Sequence, residues 1–181
     1  MKKLLLVVTA AFVTMAASAQ FTKASLQATG LTCAMCSNAI NKALQKVPFV
    51  ESVRSDIKNS TFAIVFKQNA TVNIDALKDA VEGAGFSIGS LKMTGAFSDV
   101  KIDKDTHIRI GNDNFHFLDV DSKVLNGEQT ITVVDKDFVT EKQFKKYSAA
   151  TKLSCIKTGK AASCCEKEGI AAGERIYHVT I

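Results

Sequence analysis

The sequence contains no tryptophan and only one proline among its 181 residues, and beyond its first 19 residues it has no long apolar run. A membrane-spanning helix needs about 20 consecutive apolar residues, so we expect no stable membrane insertion of the chain that follows. The formal net charge is only +5, which does not predict a nucleic-acid partner. The sequence also lacks a G-x-S-x-G elbow and a phosphate-binding loop, and so offers no motif of a hydrolase or a nucleotide-binding enzyme.

The first 19 residues have the pattern of a secretory signal peptide. Lys2 and Lys3 precede an apolar run over residues 4–17, and the Ala-Ser-Ala of residues 17–19 is the small-residue pattern that signal peptidase recognises. The apolar run is shorter than a comfortable membrane span. We therefore expect a mature chain that begins near Gln20 and is periplasmic or secreted.

Apolar periodicity in residues 20–94 predicts a small α+β domain. Alternation over residues 24–28 indicates a strand, and a helical stripe follows over residues 36–46. A hairpin is predicted within residues 53–66, Asn73 is a suitable N-cap for a second helix, and a last strand follows that helix. The order β-α-β-β-α-β is the ferredoxin-like arrangement, in which both helices cover one face of a four-stranded antiparallel sheet.

Two cysteines, Cys33 and Cys36, lie where the first predicted strand passes into the first helix. Cysteines at this spacing can direct both sulfurs to one point, and the unpaired N–H groups at a helix start favour a thiolate at Cys36. Thiolates are soft ligands, and two of them suit ions of low coordination number, above all Cu(I) and Hg(II). Zn(II) usually takes four ligands and is the weaker candidate. The pattern predicts an exposed site for a soft metal ion.

The segment Gly30-Leu31-Thr32-Cys33-Ala34-Met35-Cys36 resembles the Gly-Met-Thr-Cys-x-x-Cys signature of heavy-metal-associated domains. Such domains occur in copper chaperones, copper-exporting ATPases and periplasmic mercury-binding proteins. Val47-Pro48-Phe49-Val50 and Ala84-Gly85-Phe86 resemble two further parts of the family's pattern. The resemblance covers about residues 25–93.

The resemblance implies a metallochaperone or metal scavenger, and not an enzyme, in which Cys33 and Cys36 are the metal ligands and no residue is catalytic. Four further positions would support the metal-binding loop: Gly30, Leu31, Thr32 and Phe86. Leu31 replaces the family's usual Met and has a similar volume. Cu(I) is the first expected ion, with Hg(II) or Zn(II) as the others. The expected partner is a metal-donating or metal-accepting protein with thiolates of its own.

Two other uses of the Cys33–Cys36 pair stay open. A thiol–disulfide redox module also places C-x-x-C at a helix N-terminus. Thioredoxin-like proteins add a tryptophan before the motif and a distant cis-proline, whereas this chain has no tryptophan and its one proline, Pro48, closely follows the first helix. A disulfide within the pair would close a very small loop and add little stability, but in an oxidising compartment it would switch metal binding off.

Residues 95–181 form a second predicted unit, and the sequence does not indicate its role. Strands are predicted on either side of a turn at residues 111–113 and after a turn at Asn126-Gly127. Thr140 and Gln143 form a capping box for one helix. Short strands with one helix before the last strand are typical of a small β-rich domain such as the OB-type barrel.

Three further cysteines, Cys155, Cys164 and Cys165, lie in a segment rich in Gly, Ala, Ser and Lys that indicates a loop. Either one disulfide joins Cys155 to a member of the vicinal pair, or the three sulfurs form a second soft-metal site. No two of the chain's three histidines are spaced i, i+4. We expect each of them on a strand, exposed or hydrogen-bonded, rather than at a catalytic centre.

Overall fold

The computed structural model describes residues 20–31 and 33–181. The predicted signal peptide, residues 1–19, lies outside these ranges. In chain order the elements are β1 (Gln20–Thr29), α1 (Ala34–Gln45), β2 (Val50–Asp56), β3 (Thr61–Phe66), α2 (Ile74–Gly83), β4 (Ser87–Ile102), β5 (His107–Ile110), β6 (Asp113–Phe117), β7 (Lys123–Val133), α3 (Glu141–Ala150), α4 (Cys155–Thr158), α5 (Ser163–Glu166) and β8 (Ile176–Thr180).

These strands form one sheet in the order β2-β3-β1-β4-β7-β8-β6-β5. Neighbouring strands are antiparallel, except that β6 and β8 run parallel. The chain order β1-α1-β2-β3-α2-β4, with the sheet order β2-β3-β1-β4, confirms the predicted ferredoxin-like arrangement. The fold class is therefore α+β, as the periodicity indicates.

The core of the ferredoxin-like part follows from the apolar stripes of its helices. The fully buried helix residues are spaced three or four apart and are Ile40 and Leu44 on α1 and Ile74, Leu77 and Val81 on α2. They pack with inward-facing strand residues such as Leu26 and Phe62. Helix α2 begins where expected, because the Asn73 side-chain oxygen accepts the N–H of Ala76 at 3.1 Å.

Strand β4 continues without a break through the predicted domain boundary after residue 94. It pairs with β1 from Ser87 to Ala96 and with β7 from Leu91 to Ile102. Gly95 lies inside this strand, where a Cβ atom would come 2.6 Å from the Gln20 carbonyl oxygen. The glycine therefore marks a close approach of two strands rather than a linker.

The C-terminal strands extend the shared sheet and do not confirm an OB-type barrel. Since β7 pairs with β4, this edge of the C-terminal half continues the ferredoxin-like sheet. The ring of Phe21 on β1 packs edge-on against Phe115 on β6, with centroids 5.5 Å apart, although β6 is four strands away in the sheet order. Since neighbouring strands are about 4.8 Å apart, the sheet must curl to bring these rings together. One apolar core accordingly contains residues of both halves of the chain.

The predicted turn at Asn126-Gly127 is instead part of β7. The register between β4 and β7 shifts from Phe97 to Val100, and Asp99 takes a positive φ of 52° opposite Asn126. The Asp99 N–H donates to Asn126 Oδ1 at 2.9 Å, and Asn126 Nδ2 donates to Asp99 Oδ1 at 2.6 Å. The turn-forming residues therefore stabilise a β-bulge.

The helices after β7 are short. Helix α3 begins with the predicted capping box, since Gln143 N–H donates to Thr140 Oγ1 and Thr140 N–H donates to Gln143 Oε1. The segment predicted as a loop contains the two helical turns α4 and α5. No helix within residues 20–31 and 33–181 is long and apolar enough to cross a membrane.

Candidate metal-binding sites

The sulfurs of Cys33 and Cys36 lie 3.0 Å apart at the start of α1. This separation is longer than the roughly 2.05 Å of a disulfide bond. Cys33 is the N-cap of α1 and has an extended backbone, and its carbonyl oxygen accepts the N–H groups of Cys36 and Ser37 at 3.2 and 3.4 Å. Cys33 is exposed and Cys36 is half-buried. One cation could therefore contact both sulfurs from the solvent side.

The helix start favours negative charge on these sulfurs. Helix α1 has 12 residues and no acidic residue in its first turn, so that no carboxylate there competes with a thiolate for the positive end of the helix dipole. Orphan N–H groups of the first turn also lower the cost of a thiolate. A thiolate is the form of cysteine that binds metal.

The loop before α1 begins with a glycine in a left-handed conformation. Gly30 has a φ of +81°, in the left-handed region that side chains disfavour. Leu31 and Phe86 are half-buried and pack against the main core, whereas Met35, between the two cysteines, is 81% exposed. Of the predicted support residues only Thr32 lies outside the described ranges.

Residues 25–87 match the family model of the heavy-metal-associated domain. This segment is a heavy-metal-associated domain. The same part of the chain is similar to the probable copper-transporting ATPase HMA5 of Arabidopsis thaliana, with 30% identity over 64 residues. The matched segment is 35% of this chain but only 6% of that ATPase.

Solved structures are also similar to part of this chain. The N-terminal domain of a potential copper-translocating P-type ATPase from Bacillus subtilis is 29% identical, with a TM-score of 0.35, over 42% of this chain and 90% of that one. Oxidized MerP from Ralstonia metallidurans CH34 is 25% identical, with a TM-score of 0.35, over 38% of this chain and 97% of that one.

Outside the heavy-metal-associated domain, Cys155 on α4 and Cys165 on α5 are fully buried in one small cluster. The cluster also contains Ala161, Ile170 and Ile176. The side chain of Cys164 lies outside the described part of the chain. The disulfide and the three-sulfur metal site both stay predictions.

The structure instead surrounds Cys155 with the chain's three histidines. His107, His116 and His178 occupy directly opposed positions on the neighbouring strands β5, β6 and β8. The Cys155 sulfur lies 3.6 Å from His116 Nδ1 and 3.4 Å from His178 Nε2. Each histidine is on a strand, as predicted, but their side chains are buried and converge. Sequence reasoning does not find this group, which we call the His–Cys cluster (His107, His116, Cys155 and His178).

Carboxylates hold two of the rings on the side away from Cys155. His116 Nε2 lies 3.1 Å from Asp105 Oδ1, and His178 Nδ1 lies 2.6 Å from Asp135 Oδ1. Because a carboxylate only accepts hydrogen bonds, the ring nitrogen facing it carries the proton. The nitrogens that face Cys155 then present lone pairs when the rings are neutral.

Burial keeps the rings of His116 and His107 neutral. Burial, together with the neighbouring His107 and His178, lowers the pKa of His116 to about 3 against the opposing effect of Asp105. Burial also lowers the pKa of His107, more than the carboxylate of Glu168 raises it. A neutral imidazole has one N–H and one lone pair, so that these two residues offer neutral nitrogen donors at neutral pH.

Proposed function

We propose that the heavy-metal-associated domain binds Cu(I), or a similar thiophilic ion, between Cys33 and Cys36 and passes it on by ligand exchange. The observation that carries the proposal is the position of two sulfurs, 3.0 Å apart, at an accessible helix start in a domain of this family. The function is binding and transfer, without catalysis of a reaction.

The donor set favours Cu(I) as the cargo. Two thiolates satisfy an ion that accepts two or three soft ligands, whereas Zn(II) needs two donors more. The similar segment of the Arabidopsis protein belongs to a probable copper-transporting ATPase, which supports copper. Hg(II) fits the same pair of soft ligands and is the main competitor.

Transfer follows from exposure of the ligands. An incoming thiolate of a partner protein can reach the ion beside Cys33, form a new metal–sulfur bond and displace one of the two cysteines. Repetition of this step moves the ion without any change in its oxidation state. We propose that the protein does this after export, because its first 19 residues have the pattern of a signal peptide.

The test is competition for Cu(I) between the reduced protein and a chromogenic chelator. We expect one tightly bound Cu(I), and loss of at least about 100-fold in affinity in Cys33→Ser/Cys36→Ser, since the soft ligands are gone. Met35→Leu is the matched control, because Met35 lies between the ligands but is 81% exposed. It should bind Cu(I) as the unchanged protein does.

Two results would contradict the proposal. One is unchanged Cu(I) affinity in the double serine variant. The other is turnover of model disulfides by the metal-free protein, with loss of that turnover in the same variant, which would identify a redox module instead.

A further inference from the structure

The centre of the His–Cys cluster has more hydrogen-bond acceptors than hydrogens to donate to them. The Cys155 thiol has one hydrogen and can donate it to one acceptor, but two ring nitrogens, His116 Nδ1 and His178 Nε2, face its sulfur at 3.6 and 3.4 Å. Asp105 and Asp135 occupy the opposite nitrogens of the two rings. At least one buried nitrogen lone pair therefore points at the sulfur with no proton between them, which is unfavourable.

His107 adds a third nitrogen donor to this group. Its side chain is only 1% exposed and its Nδ1 lies 2.9 Å from Glu168 Oε2, whereas its Nε2 makes no hydrogen bond within the described part of the chain. The ring stacks on that of His116, with centroids 4.2 Å apart. One potential ligand atom each from His107, His116 and Cys155 lies within 4.8 Å of the others. A buried imidazole nitrogen without a hydrogen bond calls for an explanation.

The distances fit a tetrahedral metal ion. Zn–S bonds of about 2.3 Å and Zn–N bonds of about 2.0–2.1 Å, at tetrahedral angles, place sulfur and nitrogen about 3.5 Å apart. The two distances from the Cys155 sulfur to ring nitrogens, 3.6 and 3.4 Å, lie on either side of this value. The Cys155 sulfur is therefore already spaced from each of these two nitrogens as it would be around an ion, whereas the ligand atom of His107 lies within 4.8 Å of those of His116 and Cys155.

The surroundings of the cluster have the composition of an outer ligand shell. Metal-binding histidines usually donate their second ring N–H to a carboxylate, and Asp105 and Asp135 accept in this way from His116 and His178. Asp135 is in turn held by the guanidinium of Arg175, at 3.1 Å. Two carboxylates thus fix the orientation of the rings and increase their basicity toward a cation.

We propose that Cys155, His116 and His178, with His107 as the fourth donor, form a second and buried metal site for a tetrahedral ion of the Zn²⁺ type. Three of the four donors are imidazole nitrogens, which suit Zn²⁺ better than Cu(I). The site differs from the predicted three-sulfur site, because its other donors come from β5, β6 and β8 rather than from the Cys164–Cys165 pair.

The same contacts also resemble a nucleophile, a base and an orienting acid, in the order Cys155, His178 and Asp135. Cys155 and His178 have no exposed surface, so that a substrate could not reach the sulfur. Burial is compatible with a tightly held ion, whereas it prevents nucleophilic attack. We therefore favour the metal site, and the reactivity of Cys155 becomes part of the test.

The experiment uses the reduced Cys33→Ser/Cys36→Ser protein, in which the first site is absent, and titrates it with Co²⁺ as a spectroscopic substitute for Zn²⁺. We expect one equivalent of Co²⁺, with the visible bands of a tetrahedral ion and a thiolate-to-metal charge-transfer band, all abolished by Zn²⁺. Since the first site is already removed, this result is independent of the proposed Cu(I) function.

Variants assign the ligands. Adding Cys155→Ser should remove the charge-transfer band and weaken binding by more than 100-fold, which exceeds the loss of about 10–100-fold expected for the outer-shell change Asp135→Asn. Cys165→Ala is the matched control, because Cys165 is buried as fully as Cys155 in the same apolar cluster but is not one of the proposed ligands. It should retain the spectrum and the affinity.

Three results would overturn the proposal. The first is a folded Cys33→Ser/Cys36→Ser protein that binds neither Co²⁺ nor Zn²⁺, a result that does not depend on the folding of any Cys155 variant. The second is a Co²⁺ spectrum that Cys155→Ser leaves unchanged. The third is rapid alkylation of Cys155 in the native protein that Zn²⁺ does not slow, since a metal-bound thiolate is protected.

Discussion

Arg175→Ala removes a guanidinium that joins the heavy-metal-associated domain to the C-terminal half. Its Nε and Nη2 atoms form a fork on the two carboxylate oxygens of Asp75 in α2, at 3.0 and 3.2 Å. Nη2 also lies 3.1 Å from Asp135 Oδ2, and the guanidinium carbon stacks over the Tyr177 ring at 4.1 Å. One side chain therefore neutralises two carboxylates from different parts of the fold.

The expected loss of stability is dominated by Asp135, whose side chain is only 5% exposed. Removing the partner of such a buried charge costs about 3–5 kcal/mol. The Asp75 carboxylate is 35% exposed, so that losing its pair adds only about 0.2–1 kcal/mol. We expect Arg175→Ala to lower the free energy of unfolding by about 3–5 kcal/mol, a large part of the 5–15 kcal/mol typical of a domain.

Urea unfolding followed by circular dichroism measures this loss as a lower midpoint at an unchanged m-value. The double variant Arg175→Ala/Asp135→Asn should recover about 1 kcal/mol or more, because a neutral amide replaces the stranded charge. Arg54→Ala, at an exposed position of β2, is the control and should change stability by less than about 0.5 kcal/mol. A loss below 1 kcal/mol, or a double variant less stable than Arg175→Ala, would show that the buried charge is not what Arg175 stabilises.

Gly95→Ala should destabilise the protein by about 1–3 kcal/mol, since its Cβ would lie 2.6 Å from the Gln20 carbonyl oxygen. Thermal unfolding should show a lower midpoint than in Gly83→Ala, where a Cβ meets no atom within 4 Å. Equal midpoints would contradict the close packing of β1 and β4. A further expectation concerns acid. Burial raises the pKa of Asp75, but the hydrogen bonds and charge of Arg175 outweigh it and hold that pKa below its usual value. The stability that this pair provides is therefore present above about pH 4 and is lost as the pH falls further. Asp75→Asn should therefore lower the free energy of unfolding in urea at pH 7, and should lower it less near pH 3. An equal loss at both pH values would refute the assignment.

Local signals were sufficient to predict the N-terminal half. Its elements are bounded by local features, such as the side-chain cap that Asn73 provides for α2 and the extended backbone of Cys33 at the start of α1. Cys33 and Cys36 lie within four consecutive residues at one helix start, so that the geometry of the pair depends on that helix alone. For this reason a short motif is sufficient to predict that the two sulfurs lie side by side.

The C-terminal half depends on contacts that local signals do not encode. The predicted three-residue turn at 111–113 would place His107 opposite Phe117, whereas the observed pairing of Ile110 with Asp113 places it opposite His116. A shift of one residue moves side chains to the other face of a strand. His178 joins them through the parallel pairing of β6 and β8, which links residues 62 positions apart. The His–Cys cluster therefore could not be predicted without the register and the topology.

The two candidate sites differ in the exposure of their ligands, which decides how a bound ion leaves. Cys33 is exposed at the sheet end where Thr29 pairs with Ser87, so that another protein's thiolate can displace it. Cys155 has no exposed surface, so that an ion bound there could leave only after the surrounding strands open, which is slow compared with exchange at a surface. An exposed pair of soft ligands suits an ion in transit, whereas a buried set of mixed ligands suits an ion that stays and contributes to folding stability. The proposed Zn²⁺ should therefore raise the thermal midpoint of the Cys33→Ser/Cys36→Ser protein in proportion to the logarithm of its excess concentration, and a midpoint that Zn²⁺ does not move would contradict a structural role for the buried site.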